Sequence, residues 1–280
     1  MPVHAASSTS TSVSDFFISS YTPTLDALLS ARARPVPATT KVLAAIQPSP
    51  GKGWSSLPNT KAELKAVREI VPPEHLLSLS PTGGDDDANG ELEGLYTTSS
   101  AILSRFHDAS VFHLACHGDQ LPSNPLQSGF IMKDGERLTV EMLMRVGADT
   151  GTGGVAGGVA LLSACHTAAN DSERPDESIN LAAVMLFVGF RSVLATMWCV
   201  KQCYCGVVFN FVRAMADPFL RPMGDPDGPV ITRAIYKTLF GEAEKDLRRF
   251  CLARALDDVV RHLKKTIPSE RWATFIHIGA

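Results

Sequence analysis

Two apolar stretches of the chain each end beside a residue that can take part in nucleophilic chemistry. Residues 111–116 are followed by His117 and Gly118, and residues 159–164 are followed by Cys165. Such runs are typical of buried parallel strands, and open α/β sheets bind ligands at the carboxyl ends of their strands. If the two strands are neighbours, an imidazole and a thiol lie side by side at one edge, an arrangement that activates a sulfur nucleophile.

Both residues also have ordinary alternatives. Free cysteines are among the most buried residue types, and a lone histidine is usually a surface or core residue. The glycine after His117 favours a functional reading, because it lets a substrate approach closely and exposes its N–H as a donor to an oxyanion. His113 lies on the same face of the predicted strand, but deeper, and is interpreted as structural.

Composition narrows the class of protein. The chain has 280 residues and a net charge of −3, which argues against a nucleic-acid or polyanion partner. No apolar run reaches the roughly 20 residues of a membrane span, and the amino terminus lacks a secretion signal. The six cysteines suit reduced thiols better than a disulfide framework, so a cytoplasmic protein without membrane contact is expected.

Strand-like and helix-like segments alternate along the chain. This order predicts an α/β fold, a mostly parallel sheet of about six strands with helices on both faces. Residues 1–14 are predicted to be a disordered tail, and residues 15–280 one domain. Strands are predicted at 41–46, 75–79, 111–116, 159–165, 192–198 and 274–278. Helices are predicted at 24–33, 59–71, 98–106, 138–146, 179–188, 204–215, 230–240 and 247–265.

The sequence favours no metal or cofactor. The aspartates at 85–87 lack the regular spacing of an EF-hand loop. The glycines at 151–158 precede a strand and lack a following Gly-Lys-Ser/Thr, so they do not form a phosphate loop. Cys199, Cys203 and Cys205 lack the second pair or histidine that would complete a zinc site.

Several sequence blocks, in a fixed order, resemble those of a known family. The blocks are His113-Leu-Ala-Cys-His117-Gly118, Asn124-Pro-Leu, Ser128-Gly-Phe-Ile, Leu162-Ser-Ala-Cys165-His-Thr, Asp176-Glu177-Ser178, Leu181-Ala-Ala, Gly189-Phe-Arg-Ser-Val-Leu-Ala-Thr-Met-Trp198 and Trp272-Ala-Thr-Phe-Ile-His-Ile-Gly279. From about residue 15 to the last residue, the chain resembles the caspase-like CHAT domain, of the peptidase clan that includes caspases, metacaspases and separase.

The resemblance implies a caspase-like fold and a cysteine endopeptidase with a His117/Cys165 dyad. His117 would take the thiol proton, and the N–H groups of Gly118 and Cys165 would hold the oxyanion. The partner would be a protein or peptide substrate, and activity could need an activating protein or a partner with tetratricopeptide repeats. Two alternatives remain: a catalytically silent interaction module, and an acyl- or phosphate-transfer enzyme, which the missing glycine fingerprint disfavours.

The chain departs from the family pattern near the expected specificity pocket. The family usually has acidic residues after the tryptophan that corresponds to Trp198, whereas this chain has Lys201 and neutral neighbours. A basic substrate residue could still pair with one of three acidic side chains, Asp119, Asp176 or Glu177. Asp176 and Glu177 have the simpler alternative of capping the next helix.

We therefore expect cleavage after neutral or acidic residues. A lysine in place of the pocket carboxylates would repel arginine, and an unpaired guanidinium in a closed pocket reduces cleavage by about a thousandfold. Profiling against a peptide library, with any activator present, checks this preference. Exclusive cleavage after arginine would contradict it, and would show that one of the three remaining carboxylates serves the pocket.

Overall fold

The computed structural model describes most of the predicted domain. The described residues are 15–51, 53–80, 96–121, 123–148, 157–164, 180–196, 227–241 and 247–280. Predictions for the tail at 1–14, the aspartates at 85–87, the glycines at 151–156, the cysteines at 199–205 and the helix at 204–215 lie outside the described residues.

Strands form where the sequence has short apolar runs, because such runs can be buried on both faces of a sheet. The described strands are β1 (Val42–Ile46), β2 (Leu76–Leu79), β3 (Val111–Asp119), β4 (Gly129–Ile131), β5 (Arg137–Thr139), β6 (Val159–Ala164), β7 (Ser192–Thr196) and β8 (Phe275–Gly279). Every residue of β1, β7 and β8 is buried. The described ends of β1, β2, β6, β7 and β8 lie close to the predicted ones.

The main sheet has the strand order β2-β1-β3-β6-β7-β8. Its strands are parallel except β8, which runs antiparallel to β7. The predicted α/β fold with a mostly parallel sheet is therefore confirmed. β3 lies near the centre, where Ala44 of β1 and Leu161 of β6 flank His113 on either side.

Helices cover both faces of this sheet. The described helices are α1 (Leu25–Ala33), α2 (Asn59–Ile70), α3 (Ser99–Leu103), α4 (Val140–Ala148), α5 (Leu181–Val188), α6 (Asp227–Phe240), α7 (Leu252–Leu263) and α8 (Ser269–Trp272). One core joins the sheet to α3, α4 and α5 through residues such as Ile102, Leu143 and Met185. The other core joins it to α2, α6 and α7, and includes Ile235 and Leu256.

The region after β3 differs from the prediction. The prediction ended this strand at Cys116, but β3 continues to Asp119, where its last three residues pair with β4 in antiparallel fashion. β4 in turn pairs with β5, so residues predicted to begin a helix at 138 form a strand instead. Gly129 permits the close pairing, since a Cβ atom there would lie 2.3 Å from the carbonyl oxygen of Leu138.

A buried histidine fastens the last strand to the start of the domain. His277 on β8 is 1% exposed, and its Nδ1 and Nε2 lie 2.8 and 3.1 Å from the hydroxyl oxygens of Ser20 and Ser192. Tyr21 extends the same edge, because its N–H donates to the His277 carbonyl at 2.9 Å. Burial lowers the pKa of His277 to about 4.

This histidine should make the protein less stable in mild acid. The unfolded chain, with an ordinary histidine pKa of about 6.5, binds the proton first as the pH falls, so stability is lost between about pH 6.5 and about pH 4. From about pH 7 to about pH 5, His277 alone should lower the free energy of unfolding by about 2 kcal/mol. Urea unfolding at a series of pH values measures this loss.

The control is His277→Gln, which cannot take up the proton. The variant should be less stable than the wild type near neutral pH, because it loses buried hydrogen bonds, but its stability should change less between neutral and mildly acidic pH. An equal pH dependence in both proteins would show that His277 is not the group responsible.

Candidate functional site

The candidate site lies at the carboxyl end of β3, where this strand leaves the parallel sheet. The register of β3 with β6 pairs Cys116 with Ala164. The prediction that these two strands are adjacent and parallel is confirmed. His117 is the next residue on β3, and Cys165 is the next residue in the sequence after Ala164. Cys165 itself lies outside the described residues.

His117 is held in a fixed orientation by the loop after β1. Its side chain is fully buried, and Nε2 donates a hydrogen bond to the backbone carbonyl oxygen of Ser55 at 2.7 Å. The ring of Trp54 packs beside it, with centroids 5.2 Å apart and an angle of 40° between the planes. Because Nε2 carries the proton, the nitrogen of the neutral ring that can accept one is Nδ1.

Alternation along β3 separates its residues between the two cores. Leu114 and Cys116 belong to the core with α3, α4 and α5, whereas Val111 and Ala115 belong to the core with α2, α6 and α7. His117 follows Ala115 by two residues and so lies on the α2, α6 and α7 side. Cys116 therefore points into the core opposite to the face on which His117 lies.

The end of β6 is also fixed by a neighbouring strand. Thr196 on β7 donates its hydroxyl hydrogen to the carbonyl oxygen of Ala164. The residue before Cys165 is therefore bound on one side through its pairing with Cys116 and on the other through Thr196. Both constraints act on the last described residue of β6.

Gly118 and Asp119 complete the described part of the predicted site. Gly118 is buried and pairs with Phe130 of β4. Asp119 forms an ion pair with Arg137 of β5, in which the two side chains are 19% and 33% exposed. Arg137 already neutralises the charge of this carboxylate, so Asp119 is less suited to attract a basic substrate residue than an unpaired carboxylate would be.

The other predicted substrate-binding residues are not described. Asp176, Glu177, Trp198 and Lys201 lie outside the described residues, as Cys165 does. The helix that Asp176 and Glu177 precede is capped by Asn180, whose side-chain oxygen accepts the N–H of Ala183 at 2.7 Å. Asn180 is therefore the N-cap of this helix, and a favourable interaction of Asp176 and Glu177 with the helix dipole stays a prediction.

Two contacts of the site could not be read from the sequence. Ser55 acts through its backbone, which leaves no mark on the residue type, and Arg137 reaches Asp119 across a hairpin that the sequence did not predict. His113, interpreted as structural, is 1% exposed with Nε2 3.1 Å from Glu63 Oε2. The face that His113 shares with His117 drew attention to His113, but no feature of the sequence pointed to Glu63 as its partner.

Among the described residues, no group of three or more His, Cys, Asp or Glu side chains could hold a metal ion. Within the same part of the chain, no helix is long and apolar enough to cross a membrane. The described part of the candidate site is thus centred on the oriented imidazole of His117, at the carboxyl edge of the parallel sheet.

Comparison with known proteins identifies a family and finds similar solved structures. No curated protein sequence matches the chain significantly. The fold is similar to a part of the Saccharomyces cerevisiae separase–securin complex, with 12% identity and a TM-score of 0.49. That alignment covers 91% of this chain but 13% of the other. The family model of the CHAT domain matches residues 1–280, and the chain therefore belongs to the CHAT family.

Proposed function

We propose that the protein is a cysteine endopeptidase in which His117 and Cys165 form a catalytic dyad. The observation that carries this proposal is the register of β3 and β6, which pairs Cys116 with Ala164. His117 follows Cys116 and Cys165 follows Ala164 in the sequence. Because consecutive Cα atoms are about 3.8 Å apart, this register would bring an imidazole and a thiol to neighbouring strand ends. Membership of a family whose members are typically peptidases supports the same reaction.

The alternation of side chains along β6 supports a common face for the dyad. Leu161 belongs to the core with α2, α6 and α7, whereas Leu162 and Ala164 belong to the opposite core. Continued alternation would direct Cys165 to the face on which His117 lies.

In the proposed reaction, Nδ1 of His117 takes the proton of the Cys165 thiol. The sulfur then attacks the carbonyl carbon of the scissile peptide, and backbone N–H groups of Gly118 and Cys165 donate to the oxyanion. The imidazolium returns the proton to the leaving amine, and water hydrolyses the acyl-enzyme with His117 again as base. The Ser55 carbonyl keeps the proton on Nε2 throughout, and so leaves Nδ1 for these transfers.

Two observations favour the alternative, a catalytically silent interaction module. The His117 side chain is fully buried, so a substrate would have to reach it after some rearrangement of its surroundings. The replacement of the family's acidic residues by Lys201 and its neighbours points in the same direction. A silent module would keep the fold and leave Cys165 no more reactive than an ordinary thiol.

Thiol labelling separates the two functions. We expect a neutral alkylating reagent or a peptide-based thiol probe to modify Cys165 faster than the exposed Cys251, because an adjacent imidazole favours the thiolate. His117→Gln should slow modification of Cys165 by about a hundredfold, the usual contribution of a positioned base. Mass spectrometry of the modified peptides gives both rates.

Two cysteine variants control this measurement. Cys165→Ala should abolish labelling by the peptide probe, whereas Cys251→Ala should leave it unchanged. Equal rates at the two thiols of the wild-type protein, or an undiminished rate in His117→Gln, would contradict a dyad and favour the interaction module.

A further inference from the structure

Below the candidate site, a carboxylate is buried on the face to which His117 points. Glu63 of α2 is 5% exposed, and its Oε2 lies 3.1 Å from both His113 Nε2 on β3 and Thr232 Oγ1 on α6. Burying an ionised carboxylate is costly even when it is hydrogen-bonded, and an apolar residue at this position would avoid that cost. A function for the charge would explain its place in the core.

The hydrogen bonds around Glu63 favour a negatively charged carboxylate beside a neutral His113 ring. Oε2 accepts two hydrogen bonds, which stabilises the carboxylate form. The Nδ1 atom of His113 is buried without a hydrogen-bond partner among the described residues. An imidazolium would leave an N–H donor unpaired there, so the geometry favours a neutral His113 with its proton on Nε2.

The other groups that face Glu63 do not cancel this charge. Tyr236 of α6 stacks on His113 with ring centroids 5.8 Å apart, and burial, together with the charge of Glu63, raises the pKa of Tyr236 far above its ordinary value. Tyr236 is therefore neutral. Nearby on α6, Asp227 is already paired with Arg271, whose Nε lies 2.8 Å from Asp227 Oδ2. β6 contributes the uncharged Ser163.

The carboxylate also lies close to the strand that leads to Cys165. A Cβ atom at Gly228 would be 2.6 Å from Glu63 Oε1 and 3.6 Å from Ser163 Oγ, so both side chains border this glycine. Ser163 precedes Cys165 by two residues, which is about 7 Å along a strand. If Cys165 continues the strand as the proposed dyad requires, the carboxylate would lie on the order of 10 Å from the nucleophile.

We propose that the buried negative charge of Glu63 sets the pH range in which Cys165 is reactive. This inference rests on the proposed dyad. A negative charge opposes the formation of a thiolate, and at about 10 Å, with an effective dielectric constant of about 20, the effect amounts to about one pH unit. Glu63 touches neither the substrate nor the reacting atoms, and acts through its electric field.

Glu63→Gln tests the inference, because it removes the charge and nearly preserves the shape. We expect the pH of half-maximal alkylation of Cys165 by iodoacetamide to fall by about one unit. On the acid side of the profile the variant should then react up to about tenfold faster than the wild type. A loss of packing would instead change the rate at every pH, including the alkaline plateau, so a shifted midpoint with an unchanged plateau distinguishes a charge effect from a structural defect.

Glu69→Gln is the matched control. Glu69 also lies on α2 and pairs with Arg233 of α6 at 2.7 Å, but the two side chains are 43% and 42% exposed. The same change of charge at the surface is screened by solvent, so the alkylation profile of this variant should coincide with that of the wild type. Glu63→Asp, which keeps the buried charge, should also retain the wild-type profile.

The outcomes separate this inference from the proposed function. If Cys165 reacts faster than Cys251 but the Glu63→Gln profile is unmoved, or is lower at every pH, the inference is wrong and the dyad stands. If wild-type Cys165 reacts no faster than Cys251, the dyad is wrong and the inference falls with it. Thermal unfolding verifies that each variant is folded.

Should Glu63→Gln fail to fold, the double variant Glu63→Leu with His113→Phe takes its place. It removes the charge together with the imidazole that hydrogen-bonds to it, and apolar groups of similar size replace the buried polar pair, a change that proteins often tolerate. Because the buried charge is lost, the profile should move in the same direction and by about the same amount. An unmoved profile in the folded double variant would overturn the inference.

Discussion

The candidate site depends on the parallel pairing of β3 with β6. Its register is fixed at the amino end by Gly158, where a Cβ atom would lie 1.9 Å from the Ser110 carbonyl oxygen, and by Val159, whose N–H donates to that same oxygen at 2.9 Å. A slip of one residue would exchange the two faces of β6 along its described length. A side chain at position 158 would therefore disturb the strand end at Ala164, six residues away.

The two faces of the sheet have different chemical characters. The core with α3, α4 and α5 contains the packed aromatic rings Phe106, Phe112 and Phe190. The core with α2, α6 and α7 contains the hydrogen-bonded Glu63 and His113 near the centre of the sheet. A buried carboxylate contributes little net stability compared with apolar packing, so its place on the face of His117 is more easily explained by chemistry than by folding.

Much of the fold could be predicted, because each central strand is a run of apolar residues between turn signals. The hairpin of β4 and β5 could not, since three-residue strands are too short to show a period and the second of them runs directly into α4. Glu63 looked like any polar residue of an amphipathic helix, because its partner His113 lies fifty residues away and only the packing of α2 on β3 brings them together. His117 and Gly118 were found because strand ends mark a sheet edge in the sequence itself.

The bond between His117 and Ser55 shows what the fold provides to the proposed dyad and what it does not. A backbone carbonyl orients the ring and selects its tautomer, as the carboxylate of a catalytic triad does, but it is a dipole and not a full charge. An imidazolium formed during the reaction is therefore stabilised less by this partner than it would be by an aspartate. A buried carboxylate farther down the same face would add the missing negative charge at a distance, and it would do so without competing for the proton on Nε2. Orientation and charge would then come from two different residues, Ser55 and Glu63.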